Sequence, residues 1–218
     1  MIRIAAILTM LIDHIGACFF PSQLWLRAIG RISIPLFAYG IAKGYGYSME
    51  HGTFPNYLMR LLIFTLVSQP PYMLFTGSLW GWNIGFTWLA GLISLRLLSS
   101  RACWTGKAFG ATICQLLPIA LRANGAGLGV VLIILIYYTV IRANYPWYAL
   151  LLCAVPHLIL AVLQNPPAWI FAYGILAYFL IYLFHRSDEK MRIPRAVAYG
   201  IYPVHLLIFH ILSLFFQK

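Results

Sequence analysis

Acidic side chains are nearly missing from this sequence. It carries four, Asp13, Glu50, Asp188 and Glu189, against fifteen Lys and Arg. Charged residues of either sign make up 9% of the 218 positions. A soluble domain of that length carries about 25%. Such a shortage excludes a water-soluble globular chain, and a 62% hydrophobic content takes its place. No CxxC pair occurs. Cys18, Cys103, Cys114 and Cys153 are scattered without metal spacing and read as small apolar residues in helices, so no metal is expected. No polar stretch is long enough for a soluble domain, and residues 1–218 read as one transmembrane domain. A formal net charge of +11 in a soluble protein would point to nucleic acid. Here it reads as basic residues in cytoplasmic loops that orient helices, with no nucleic-acid partner.

What is there is apolar and segmented. Nine hydrophobic stretches run over 2–20, 24–43, 57–75, 83–99, 107–121, 126–142, 146–163, 168–185 and 195–216. Most approach the ~20 residues that a spanning helix needs. The expected fold is therefore all-α, a polytopic transmembrane bundle of about nine helices in the lipid bilayer. With the N-terminus in the cytoplasm, eleven Lys and Arg fall toward the cytoplasmic side. Four, Arg27, Arg31, Arg122 and Lys218, fall toward the other. Pro35, Pro70-Pro71, Pro118, Pro156 and Pro203 interrupt apolar segments. Broken helices at membrane depth are tolerated where they are buried in protein or line a cavity, so a cavity is expected.

The first twenty residues hold the most unusual pattern. Arg3, Asp13 and His14 sit in an otherwise apolar run. An uninterrupted run would resemble a signal peptide, but Asp13 and His14 break it where such a peptide is uniform. The stretch reads as the first transmembrane helix, and ionisable groups inside one mark a functional site. Arg3 and His14 lie eleven residues apart, on one face and roughly 16 Å apart along the axis. Asp13 is the single carboxylate expected within the membrane. Arg27 or Arg31, four apart on the second helix, can supply its partner. That pair reads equally as a structural lock or as part of a catalytic site.

The last helix offers Tyr202-Pro203-Val204-His205, with His205 roughly 15 Å in from Arg195. His14, His205 and Gln69 then fall at similar depth from three helices, and Gln69 and Tyr202 count with His205 as candidate substrate contacts. For each alone, a satisfied polar residue joining helices is the bland alternative. His157 and His210 lack this pattern.

Leu8-Thr9-Met10-Leu11-Ile12-Asp13-His14-Ile15-Gly16, then Leu26-Arg27, Gly30-Arg31 and Ser33-Ile34-Pro35-Leu36-Phe37-Ala38, resemble the opening of the TraX family. Arg60-Leu61 and Tyr202-Pro203-Val204-His205-Leu206 also match. TraX-like proteins are similar to the wider transmembrane acyltransferases, in part of which a basic residue, ten intervening residues and a His form a signature; Arg3 and His14 have that spacing. The chain departs at Arg122-Ala123-Asn124-Gly125-Ala126-Gly127, where TraX proteins carry Asp-Tyr-Gly, so the acceptor stays open.

The resemblance implies acetyl transfer from cytoplasmic acetyl-CoA, in the bacterial inner membrane, to a pilin amine or a sugar hydroxyl or amine. The residues suit that chemistry. His14 serves as general base, or as a transiently acetylated nucleophile, with Asp13 to orient it. Arg3, Lys43 and Arg60, with Arg31, are the candidate cations for the coenzyme's phosphates. Two alternatives remain. One is a proton-coupled small-molecule transporter, since buried Asp, His and Arg also make a relay. The other is a non-catalytic pilus-assembly factor. Oligomeric state is not read from the sequence.

Overall fold

The structure, a computed structural model, describes residues 1–143, 148–163, 168–185 and 194–216. Among them there are ten α-helices and no strand beyond one isolated bridge, between Trp82 and Ala123. The helices are α1 (Ile2–Phe19), α2 (Leu24–Gly30), α3 (Ser33–Glu50), α4 (Phe54–Thr76), α5 (Ile84–Leu98), α6 (Trp104–Ala120), α7 (Leu128–Ile136), α8 (Tyr148–Leu163), α9 (Leu176–Phe184) and α10 (Arg195–Phe216). A π-helical turn, Tyr137–Arg142, extends α7, and a 3-10 stretch, Ala168–Ile175, leads into α9. The all-helical expectation holds. Three helical stretches, Ile2–Phe19, Phe54–Thr76 and Ala196–Phe215, are long and apolar enough to cross a membrane.

The second apolar segment departs from the sequence reading. It is two helices, broken at Arg31 and Ile32. Pro35 causes the break. It has no N–H to donate to the carbonyl four residues back, and so belongs in a first turn. Ser33 closes the junction, its Oγ donating to the Gly30 carbonyl at 2.7 Å. α3 then runs past Lys43 to Glu50. Gly44 supports that extension, since a Cβ there would lie 2.7 Å from the Tyr57 hydroxyl.

The chain falls into two compact units. One comprises Met1–Phe37 with Pro146–Lys218, the other Ala38–Tyr145. In the first, α1 packs on α2, α9 and α10, and the 3-10 stretch packs on α2, α8 and α9. In the second, α5 is the central helix, contacted by α4, α6 and α7. Ten of its residues, from Ile84 to Leu95, are buried, as expected of a helix apolar on every side. By contrast α6 buries only Pro118 among its residues and exposes Phe109, Ile113, Leu116 and Leu117. α4 exposes Met59, Ile63, Leu66 and Val67, and α10 exposes Val204, Ile208 and Ile211. Continuous apolar faces of this kind aggregate in water and suit hydrocarbon. The chain is a membrane protein.

At the α4–α5 connection of the second unit, buried amides satisfy one another and the backbone, as a bilayer favours. Asn83 caps α5, its Oδ1 accepting from the Gly85 N–H at 2.8 Å. Its Nδ2 donates to the Thr65 carbonyl at 2.9 Å and to Gln69 Oε1 at 2.8 Å. Its own N–H also reaches Gln69 Oε1, at 3.0 Å. Replacing Asn83, which is wholly buried, by Ala removes a cap and strands its partners. Asn83→Ala should cost about 1–3 kcal/mol, read as a lower denaturation temperature in detergent. A denaturation temperature equal to the parent's would contradict this account of the α4–α5 connection.

Candidate functional site

α1 buries every fourth residue on one face: Ile2, Ala6, Met10 and His14. His14 is therefore the last member of an apolar stripe, where only a partnered imidazole belongs. Its partner comes from α10. His14 Nδ1 lies 2.6 Å from His205 Nε2, and both rings are buried. The ring centroids are 4.9 Å apart with planes at 16°. Nitrogens that close in nearly parallel planes leave no room for face stacking, so the rings meet edge to edge. His205 Nδ1 in turn lies 2.7 Å from the Ile201 carbonyl, one turn earlier on α10. Tyr202 and Phe209 flank the His205 ring, with centroids 5.6 and 5.5 Å away. Tyr202 also stands 6.2 Å from the His14 ring.

Asp13, one residue earlier, points about 100° away around α1 and meets α2 instead. Arg27 Nη1 is 2.8 Å from Asp13 Oδ2 and also donates to the Asp13 carbonyl at 3.0 Å. Arg31 Nη2 stands 3.6 Å from Asp13 Oδ1. Two glycines let these helices approach. A Cβ on Gly30 would collide with the Asp13 carboxylate, and one on Gly16 would lie 2.6 Å from Leu26 Cβ. Small residues at such a contact are the usual means of close packing in membranes.

The structure thus brings His14, His205 and Tyr202 together and separates their role from that of Asp13. The sequence reading has Asp13 orienting His14; the carboxylate faces Arg27 and Arg31. It also counts Arg31 among cations for a coenzyme, whereas the guanidinium lies against Asp13. Gln69 belongs to the second unit. Its Nε2 donates to the Gly81 carbonyl at 2.9 Å and its Oε1 accepts from Asn83, so the amide is used in holding the α4–α5 connection. Arg3 is exposed at the start of α1. Lys43 Nζ sits 5.9 Å from the Tyr39 ring centroid and the Arg60 guanidinium 6.0 Å from that of Tyr57. The expected partners of Asp13, Arg27 and Arg31, are both found against it, with Arg27 the shorter contact. Phe209 was not among the expected site residues; its signal is the four-residue spacing from His205.

A second buried histidine, His157 of α8, lies 3.3 Å through Nδ1 from the Tyr178 hydroxyl. It packs against Gly174, where a Cβ would collide with its ring. Among the described residues no group of three His, Cys, Asp or Glu converges to hold a metal ion. Chemically, the α1–α10 contact is a pair of hydrogen-bonded imidazoles in a water-poor setting, each able to donate through one ring nitrogen and accept through the other.

Fold and site together define an all-helical membrane protein with a histidine pair joining its first helix to α10. Within that class the chain belongs to the TraX family, whose model, described as TraX protein, matches residues 1–213. It is similar to the "Probable fimbrial assembly protein FimC, serogroup H1" of Dichelobacter nodosus, at 28% identity over 244 residues. That match covers 99% of this chain and 96% of the relative. No solved structure matches.

The Asp13 cluster can be tested apart from the histidines. Asp13→Asn leaves two guanidinium groups facing each other beside a neutral amide. It should destabilise the protein in detergent by about 1–3 kcal/mol, less than a fully buried pair because the arginines keep some exposure. Adding Arg27→Gln to that variant should recover part of the loss. A double variant weaker than Asp13→Asn by the full effect of Arg27→Gln alone would show that the two side chains are not coupled.

Proposed function

We propose that this protein is a multi-pass acetyltransferase of the bacterial inner membrane. It moves an acetyl group from cytoplasmic acetyl-CoA to an amine or hydroxyl on a pilin or a surface glycan. The observation that carries the reading is the buried His14–His205 pair in a chain that matches the TraX family over nearly its whole length. Acyl transfer from a thioester needs a base for the proton of the attacking group, and histidine is the usual one. A buried base in the interior of an apolar helix, with a basic residue eleven positions earlier, suits a donor entering from the membrane surface. Arg3, exposed at the start of the helix that carries His14, is a cation suited to the phosphates. Pilus biogenesis enters through the relative, whose printed name is that of a fimbrial assembly protein.

That printed name also favours a second reading, a non-catalytic assembly factor. Purified protein separates the two. In detergent with labelled acetyl-CoA and a peptide-amine or sugar acceptor, the enzyme transfers label and the assembly factor does not. His14→Ala should lower transfer by about 10²–10⁴-fold, the range for general-base catalysis, while the dissociation constant for acetyl-CoA stays near that of the parent. A His14→Ala protein that binds the donor and transfers acetyl at the parent rate removes His14 from the chemistry.

A further inference from the structure

We infer that His205 is a positioning residue that holds His14 in one tautomer and shares its proton, making His14 Nε2 the nitrogen that receives the acceptor's proton. The chemical half of this inference rests on the acetyl-transfer reading; the tautomer rests on hydrogen bonds alone.

A carbonyl oxygen only accepts. The 2.7 Å contact from His205 Nδ1 to the Ile201 carbonyl therefore fixes a proton on that nitrogen. With His205 neutral, its Nε2 carries the lone pair. A 2.6 Å contact between two nitrogens needs one proton between them, so it must sit on His14 Nδ1. His14 is then the Nδ1–H tautomer with its lone pair on Nε2. The chain of donors runs one way, from His14 through His205 to the backbone of α10.

The edge-to-edge arrangement of the rings makes the bond nearly linear, which suits proton sharing. Tyr202 and Phe209, three residues before and four after His205, pack on its ring and keep it from rotating away. The first expectation for His205 was contact with substrate. Both its nitrogens instead engage protein atoms, which suits orientation of His14.

In the transfer step the acceptor nitrogen or oxygen attacks the thioester carbonyl carbon and its proton moves to His14 Nε2. The resulting imidazolium is stabilised by the Nδ1–H bond to His205 Nε2, in the position where many enzymes use a carboxylate. Collapse of the tetrahedral adduct breaks the carbon–sulfur bond. The thiolate takes the proton from His14 Nε2 and leaves as free thiol, returning the pair to its starting state.

Nitrogen-15 NMR of histidine-labelled protein at alkaline pH tests the tautomer, with His14 assigned by comparison with His14→Gln. The expected spectrum has His14 protonated at Nδ1 and unprotonated at Nε2, with a coupling across the bond to His205 Nε2. In His205→Phe, which keeps the ring's bulk without an acceptor, the Nδ1 preference should disappear. Acetyl transfer should then lose about tenfold or more in kcat, a fraction of what removal of the base itself costs, with the KM for acetyl-CoA unchanged. His205→Gln, whose carbonyl oxygen still accepts, should restore much of that kcat. A wild-type His14 protonated at Nε2 overturns the inference, as does an Nδ1 proton that survives in His205→Phe. Should His205→Phe fail to fold, the coupling in the wild-type protein decides, and its absence counts against the pair. A correct tautomer in a protein that transfers no acetyl would overturn the catalytic half and the transferase reading while leaving the pairing intact.

Discussion

Burying polar groups where water is scarce is the constraint that shapes this molecule, and two adjacent residues of α1 meet it in different ways. Asp13 and His14 lie about 100° apart around one helix. The carboxylate turns to Arg27 and Arg31 at the α2 end, and the imidazole turns to His205 on α10. One turn of helix thus ties two others to itself. Gly16 and Gly30 are needed on the arginine side because a charged pair in this setting must be close to offset its desolvation. On the histidine side the partner's remaining nitrogen is absorbed by its own backbone. The division places the charged groups at the α1–α2 contact and the imidazole pair at the α1–α10 contact.

The same constraint explains the second unit without invoking a site. Gln69 and Asn83 look like candidate functional groups, since amides in apolar helices are costly. Their bonds are nonetheless closed among themselves and the backbone of the α4–α5 connection. Thr87 similarly donates to the Asn124 carbonyl at 2.9 Å, and Gln115 to that of Gly127 at 2.7 Å. Gly125 and Gly127 take positive φ there, a backbone shape for which a side chain would be strained. This is the stretch where the sequence departs from the TraX pattern, and its glycines and Asn124 serve the turn.

Helical character and the membrane setting were legible in the sequence, because apolar length is a direct property of composition. The break between α2 and α3 was not, although Pro35 was visible. A proline inside an apolar run reads equally as a kink or as a new first turn, and only the Ser33–Gly30 closure decides between them. The π-helical turn at Tyr137–Arg142 has no periodic signature over six residues and was not foreseen. For the site, depth counting placed His14 and His205 at one level, since rise per residue is fixed. The 100° between neighbouring residues already set Asp13 apart from His14, and its carboxylate meets the arginines. The polar run between the last two apolar stretches falls largely on residues 186–193, outside the described residues.

The central claim is that this TraX-family chain modifies a surface molecule and does more than assist its assembly. Intact-mass spectrometry of pilins and surface glycans, from cells with and without the gene, tests that claim most directly. The account predicts an acetyl-sized mass on one of these molecules that vanishes on deletion and returns with the wild-type protein but not with His14→Ala. Identical masses in all three cells would contradict it.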